Sequence, residues 1–226
     1  MLQDLICLFY PTSCAACDEV LLKNETILCI SCRHQLPVYN TKYDNVEIIK
    51  KVFSGRVPIE NAATLFIFEK QGLVQNMIHN LKYRGQQNIG VCLGQWIGNE
   101  LLNIEGYKDI SIVIPVPLHR RRIRERGYNQ VTKFGQELAD IFNIPYESKV
   151  LKKTKYTHKQ AKSGGYERWD NIVDSFGLQN THRLENQHVL LVDDLLTTGA
   201  TLEACTLELL QVSGVRVSIA TMAIAL

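Results

Sequence analysis

The chain has 226 residues, of which 46% are apolar and 21% charged, and a formal net charge of +2. This is ordinary for a soluble globular protein and fits one α/β domain plus a small appendage. No apolar run approaches the roughly 20 residues that span a bilayer, so the sequence excludes a membrane-embedded protein and predicts a cytoplasmic one.

The first apolar stretch, residues 5–10, follows Asp4 and has no basic start or small-residue cleavage site around it, so it reads as a core-facing segment rather than a signal peptide. Cys14-x2-Cys17 and Cys29-x2-Cys32 come next, separated by eleven residues. Two cysteine pairs at this spacing can place four thiolates in a tetrahedron around Zn²⁺. The intervening segment is too short to bury a core, so metal would supply most of its folding free energy. Structural zinc is the expectation, with Fe–S ligation or a redox role as the alternatives. Cys7, Cys92 and Cys205 read as small buried hydrophobes. The chain divides into a four-cysteine ribbon with its connector, residues 1–50, and a large domain, residues 51–226.

Residues 37–58 read as a connector containing a short helix. Residues 62–68 are a strand candidate. Residues 72–81 read as a helix with Leu73, Met77, Ile78 and Leu81 on one face. It runs into the basic cluster Lys82-Tyr83-Arg84-Gly85. A second helix, residues 88–102, carries Ile89, Leu93, Trp96, Ile97 and Leu101. Residues 110–116 form a strand apolar enough to be buried on both faces, stopped by Pro115-Val116-Pro117. Five of the seven residues 120–126 are arginine. Guanidinium groups bind phosphate oxygens in pairs, so this segment reads as a loop cradling pyrophosphate. Residues 128–142 read as an amphipathic helix.

Residues 119–168 hold 13 Lys or Arg against 5 Asp or Glu, a local balance of +8 that leaves −6 for the rest. A basic middle in a near-neutral chain points to an anionic ligand: pyrophosphate, nucleic acid or both. Residues 152–171 are basic and polar with a Gly164-Gly165 break. They read either as a lid that shields a reactive sugar cation from water or as an ordinary surface loop. Tyr128, Tyr156, Tyr166 and Trp169 are candidate stacking faces for single-stranded DNA, or else core and lid residues. Strands are expected at 173–176, 188–192 and 215–223, and a helix at 202–211.

Residues 189–201 carry the most information: Val-Leu-Leu-Val-Asp-Asp-Leu-Leu-Thr-Thr-Gly-Ala-Thr. Asp193 and Asp194 at the end of a buried strand can accept hydrogen bonds from vicinal ribose hydroxyls. Thr197, Thr198, Gly199, Ala200 and Thr201 can wrap a phosphate at a helix N-terminus. The run resembles the 5-phosphoribosyl pyrophosphate (PRPP) signature of type I phosphoribosyltransferases at every position class.

With the four cysteines, Lys82-Tyr83-Arg84-Gly85, Pro115 to His119, Arg126-Gly127-Tyr128-Asn129-Gln130, Thr157-x2-Gln160 and Arg168-x2-Asn171, nearly the whole chain resembles the ComF family of DNA-uptake competence proteins. That resemblance implies a parallel sheet flanked by helices, with ligand over the strand C-termini at a switch point. It implies that Asp193 and Asp194 hold the ribose hydroxyls and water-bridged Mg²⁺, and that residues 197–201 hold the 5-phosphate. Val116, Pro117, Leu118, His119 and Arg120 would be the pyrophosphate loop, with Lys159 and Arg168 as lid residues for the leaving group. Three functions are compatible with it. One is a ComF-like factor handling single-stranded DNA with a PRPP-type site, working with a DNA-uptake helicase or channel protein. The others are a phosphoribosyltransferase of nucleotide metabolism or salvage, and a non-catalytic adaptor with a relic site.

Overall fold

The computed structural model describes residues 11–39, 46–154 and 175–226. The expectations for residues 5–10, Cys7, Tyr156, Lys159, Tyr166, Arg168 and Trp169 lie outside them, as does most of 152–171.

The helices are α1 (Ile30–Gln35), α2 (Val46–Lys51), α3 (Leu73–Tyr83), α4 (Asn88–Leu101), α5 (Arg120–Arg126), α6 (Thr132–Phe142) and α7 (Ala200–Leu209). The strands are β1 (Ala62–Ile67), β2 (Ile112–Pro115), β3 (Leu151–Lys153), β4 (Phe176–Leu178), β5 (His188–Leu196) and β6 (Arg216–Ile224). A four-stranded sheet has the order β1-β6-β5-β2, and all its pairings are parallel. Parallel strands need crossovers, and the helices supply them on both faces. Strand alternation divides the core. Val113, Leu190, Val192 and Met222 face α3, α4 and α6. Ile112, Ile114, Val189, Leu191 and Ile219 face α2 and α7. Among the described residues, no helix is long and apolar enough to cross a membrane.

Gly90, Gly94 and Gly98 form a stripe on α4 that lets α6 approach closely. A Cβ at Gly94 would lie 2.8 Å from Glu137 Cβ and 3.0 Å from the Phe134 carbonyl oxygen. The α4–α6 pair holds α6, and the loop before it, in place against β2 and β5.

Three elements differ from the sequence-based expectation. The arginine-rich segment is helix α5, not a loop. His119 Nδ1 accepts from the Arg121 amide at 3.2 Å to cap its start, and Gly127, at φ 87°, ends it. None of its residues is buried, so hydrophobic periodicity had nothing to register. Strand β5 runs on through Leu196, because β6 continues to pair with it past the acidic residues. The antiparallel β3–β4 pair is built from two three-residue strands, too short to show a period-2 pattern; of the strand expected at 173–176, residues 173 and 174 lie outside the described residues and Phe176 opens β4.

Candidate functional site

Asp193 and Asp194 sit inside β5 near its C-terminal end and are both buried. Neighbouring strand residues alternate between faces, yet the two carboxyl groups stay close enough to interact side chain to side chain. Asp194 faces α3 and α6. Its Oδ1 accepts from Gln130 Nε2 at 2.9 Å, and Lys82 Nζ makes an ion pair with its Oδ2. Asp193 lies toward Cys205 of α7 and Lys153 of β3, both within reach of its charge. Asp193 Oδ1 accepts from the Asp194 amide at 2.8 Å. Burial, then the neighbouring Asp194 charge, push the Asp193 carboxyl well above its ordinary value. Asp193 is therefore a buried acid whose ionised form the fold disfavours, beside an Asp194 that already holds Lys82 and Gln130.

After the strand, Thr197 and Thr198 are exposed, Gly199 turns the chain at φ 77°, and Ala200 and Thr201 open α7. The turn is held from the connector. Arg56 Nη1 donates to the Thr198 carbonyl at 3.0 Å and pairs with the buried Glu203 Oε2 at 3.3 Å. A Cβ at Gly199 would meet Val52 Cγ1 at 2.8 Å, so glycine is required there for close approach as well as for its positive φ. The turn presents hydroxyls and a helix start on the same edge as the acidic pair.

Residues 116–120 lie alongside. The Val116 amide donates to the Val192 carbonyl at 2.9 Å, and Asn129 Nδ2 donates to the Val116 carbonyl at 2.9 Å. Val116 is buried, Pro117, Leu118 and His119 are half-buried, and Arg120 is exposed. The fold thus brings residues 116–120, 193–194 and 197–201 to one edge of the sheet. Lys159 and Arg168 lie outside the described residues. Lys82, Gln130 and Arg56 also contact the site, although sequence pattern alone does not assign them to it. Lys82 and Gln130 lie inside stretches the sequence did flag. Arg56 carried no signal, because a lone connector arginine has no pattern.

The four cysteines cluster, with their Sγ atoms all within 4.8 Å of one another. This matches the spread of four thiolates about 2.3 Å from one ion, so the group could hold zinc. Amides donate to its sulfurs: Cys29 N to Cys14 Sγ at 3.4 Å and Cys32 N to Cys29 Sγ at 3.3 Å. Burial pushes the Cys14 thiol up, but amide hydrogen bonds from Cys29, Cys17 and Ala16 outweigh it and bring it down to about 7. The ribbon is clamped to α3, with Asn76 and Asn80 side chains donating to the Ala16 and Ala15 carbonyls, each at 2.9 Å. Helix α3 therefore connects the cysteine cluster to Lys82 and Asp194.

A second polar group lies at the opposite end of β5. His188 Nε2 is 2.8 Å from Ser218 Oγ and its Nδ1 is 2.8 Å from Asp109 Oδ1. These are the distances of a hydrolase triad, but Ser218 is wholly buried and no substrate could reach it. The group ties strands together.

Residues 132–224 match the family described as "Phosphoribosyl transferase domain". "Competence protein F" of Haemophilus influenzae is 36% identical over 91 residues, 40% of each chain. "DNA utilization protein YhgH" of Escherichia coli O157:H7 is 28% identical over 128 residues, 55% of this chain and 56% of that one. "Competence protein ComFC" of Bacillus subtilis is 24% identical over 205 residues, 83% of this chain and 81% of that one. The chain spans about half the length, or less, of the first two relatives. The chain is thus similar to competence and DNA-utilization proteins, and its residues 132–224 to a phosphoribosyl transferase domain.

Proposed function

We propose that this protein binds PRPP with Mg²⁺ and acts in DNA uptake by handling single-stranded DNA. The observation that carries the reading is the buried Asp193–Asp194 pair, followed at once by the exposed Thr197 and Thr198, the Gly199 turn and the start of α7. A ribose 5-phosphate needs this order. The carboxylates accept from the two ring hydroxyls. The 5-phosphate takes the amides and hydroxyls of residues 197–201. Residues 116–120 then lie on the pyrophosphate side, with Lys159 and Arg168 as lid residues. Mg²⁺ supplies charge neutralisation for the pyrophosphate and keeps most of its waters.

The chain's residues orient the sugar and hold charge. If transfer occurs, pyrophosphate leaves the anomeric carbon as an incoming nucleophile bonds to it. Positioning and electrostatic stabilisation supply the catalysis, and no side-chain nucleophile is needed. The DNA role is supported by the names of the relatives and by the basic residues 119–168. Residues 1–50 act as a zinc-stabilised ribbon on the large domain, with Cys14, Cys17, Cys29 and Cys32 as ligands and the fold of α3 as their support.

Calorimetric titration of PRPP into zinc-loaded protein, with and without Mg²⁺, tests the site. Mg²⁺-dependent binding is expected, and a screen for pyrophosphate release with bases and DNA then asks whether transfer occurs. No binding would overturn the sugar-phosphate reading.

A further inference from the structure

Lys82, Arg122 and Arg126 converge on a cleft of about 330 Å³ between the end of α3 and α5, walled by Tyr83 and Tyr128. Its one acid, Glu125, is taken, because Arg121 Nε donates to Glu125 Oε1 at 2.9 Å. Among the described residues no carboxylate pairs with Arg122. The Arg126 guanidinium lies 5.5 Å from the Tyr83 ring centroid. The Tyr128 hydroxyl donates to the Leu81 carbonyl, which pins the wall of the cleft to the end of α3. The result is three cations gathered in a concavity that is formed before any ligand arrives. A solvated basic helix face would not have this arrangement, and it favours an anion.

The cleft also touches the acidic pair, directly through Lys82 and through Gln130 from Arg126. Lys82 lines it while its ammonium rests on Asp194. Arg126 lines it while donating to Gln130, which in turn donates to Asp194. An anion in the cleft would draw Lys82 and Arg126 toward itself. Asp194 Oδ2 would then lose its ammonium partner and be free to accept from a ribose hydroxyl, with Gln130 still held on Oδ1.

We propose that this cleft takes the phosphodiester backbone of single-stranded DNA, with one phosphate among Lys82, Arg122 and Arg126, and that its occupancy tightens PRPP binding at Asp194. The tyrosine faces at its wall suit unpaired bases, which a duplex does not offer. The inference rests on the sugar-phosphate reading, and linkage makes the coupling reciprocal: PRPP must tighten DNA binding by the same factor.

The test uses the zinc-loaded full chain and a fluorescent oligothymidylate of about 12 nucleotides, within the usual site size for single strands. Anisotropy is read across a salt series. Arg122→Ala is expected to weaken the oligonucleotide about tenfold and to lower the salt slope by about 0.7, the value for one lost phosphate contact on a single strand. Arg122→Lys should restore most of the slope. PRPP titrated with saturating oligonucleotide should bind about fivefold or more tighter than without it, and Lys82→Met should abolish that gain.

An Arg122→Ala protein that binds the strand as wild type does would overturn the proposal. So would displacement of the strand by inorganic pyrophosphate, which would make the cleft part of the PRPP site. Equal binding of duplex and single strand would also count against it. Asp193→Asn with Asp194→Asn should lose PRPP but keep the oligonucleotide. If wild type binds the strand at Arg122 and no PRPP, the sugar-phosphate reading fails while the cleft assignment survives without its coupling.

Discussion

Strand β5 carries a polar cluster at each end, and the two are finished differently. At its start, both nitrogens of His188 have partners, Ser218 and Asp109, and Arg216 Nη2 closes the group on Asp109 Oδ2 at 2.6 Å. His188, Asp109 and Arg216 are thus bonded to one another. At its end, Asp193 is buried with its carboxyl pushed up. Glu203 Oε1 and Thr221 Oγ1 are buried without a hydrogen-bond partner, and the partners of Asp194 reach in from two other elements. Buried polar groups are normally paired. The closed cluster is structure, and the incomplete one leaves bonds that the proposed ligand would complete.

The sharpest way to break that contrast is to neutralise the acidic end. Asp193→Asn with Asp194→Asn should weaken Mg²⁺-dependent PRPP binding by about 100-fold or more, since each removed charged hydrogen bond is worth about 1.5–3 kcal/mol. Calorimetry checks affinity and circular dichroism checks the fold. Retained affinity with an intact fold would put the ligand elsewhere.

The opposite end should respond the other way. His188→Ala removes a buried ring and strands Ser218 Oγ inside the core. Urea unfolding should show a loss of about 2–4 kcal/mol, while the PRPP affinity of the folded protein is unchanged. A fall in affinity without a fall in stability would mean that the triad-like group takes part in function.

How far the two ends could be read from sequence follows from their physics. Asp193 to Thr201 were legible because strand, acids, turn and helix start are contiguous. The four cysteines were legible because metal ligation fixes their spacing. Lys82 and Gln130 lie 112 and 64 residues from Asp194 in the chain, and only tertiary packing shows that they meet on it. The Asp109–His188–Ser218 group left no pattern at all, since each member is an ordinary residue at the base of a different segment. Helix α5 escaped because its stability comes from a cap, an i,i+4 ion pair and a glycine stop, not from an apolar face.

A third experiment sets function against stability. Asp193→Asn alone should raise the melting temperature at neutral pH, by about 1 kcal/mol in stability, because it removes a buried carboxyl whose ionisation burial and Asp194 oppose. The folded value of Asp193 lies above its unfolded one. Its contribution is therefore fully present below the ordinary carboxylate value and is lost as pH rises through the raised folded value. The wild-type stability curve should slope downward over that interval, and the variant should lack the slope. An identical slope in both proteins would show that Asp193 is not under strain.

Asp109 should give the smallest effect, with the opposite sign. Its hydrogen bond from Arg216, and then His188, hold its carboxyl below the ordinary value. A lowered folded value contributes stability that is present above the unfolded value and lost as pH falls through the folded one. The Asp109 side chain is 54% exposed, so solvent screens the pair and the contribution stays below about 1 kcal/mol. Asp109→Asn should therefore flatten the acid limb of the stability curve slightly and leave the neutral limb alone, whereas Asp193→Asn changes only the neutral limb. Urea unfolding of both variants across pH 3–8 separates them, on the ordinary carboxylate range. If the two variants flatten the same limb, the ends of β5 do not differ in the way their hydrogen bonding implies.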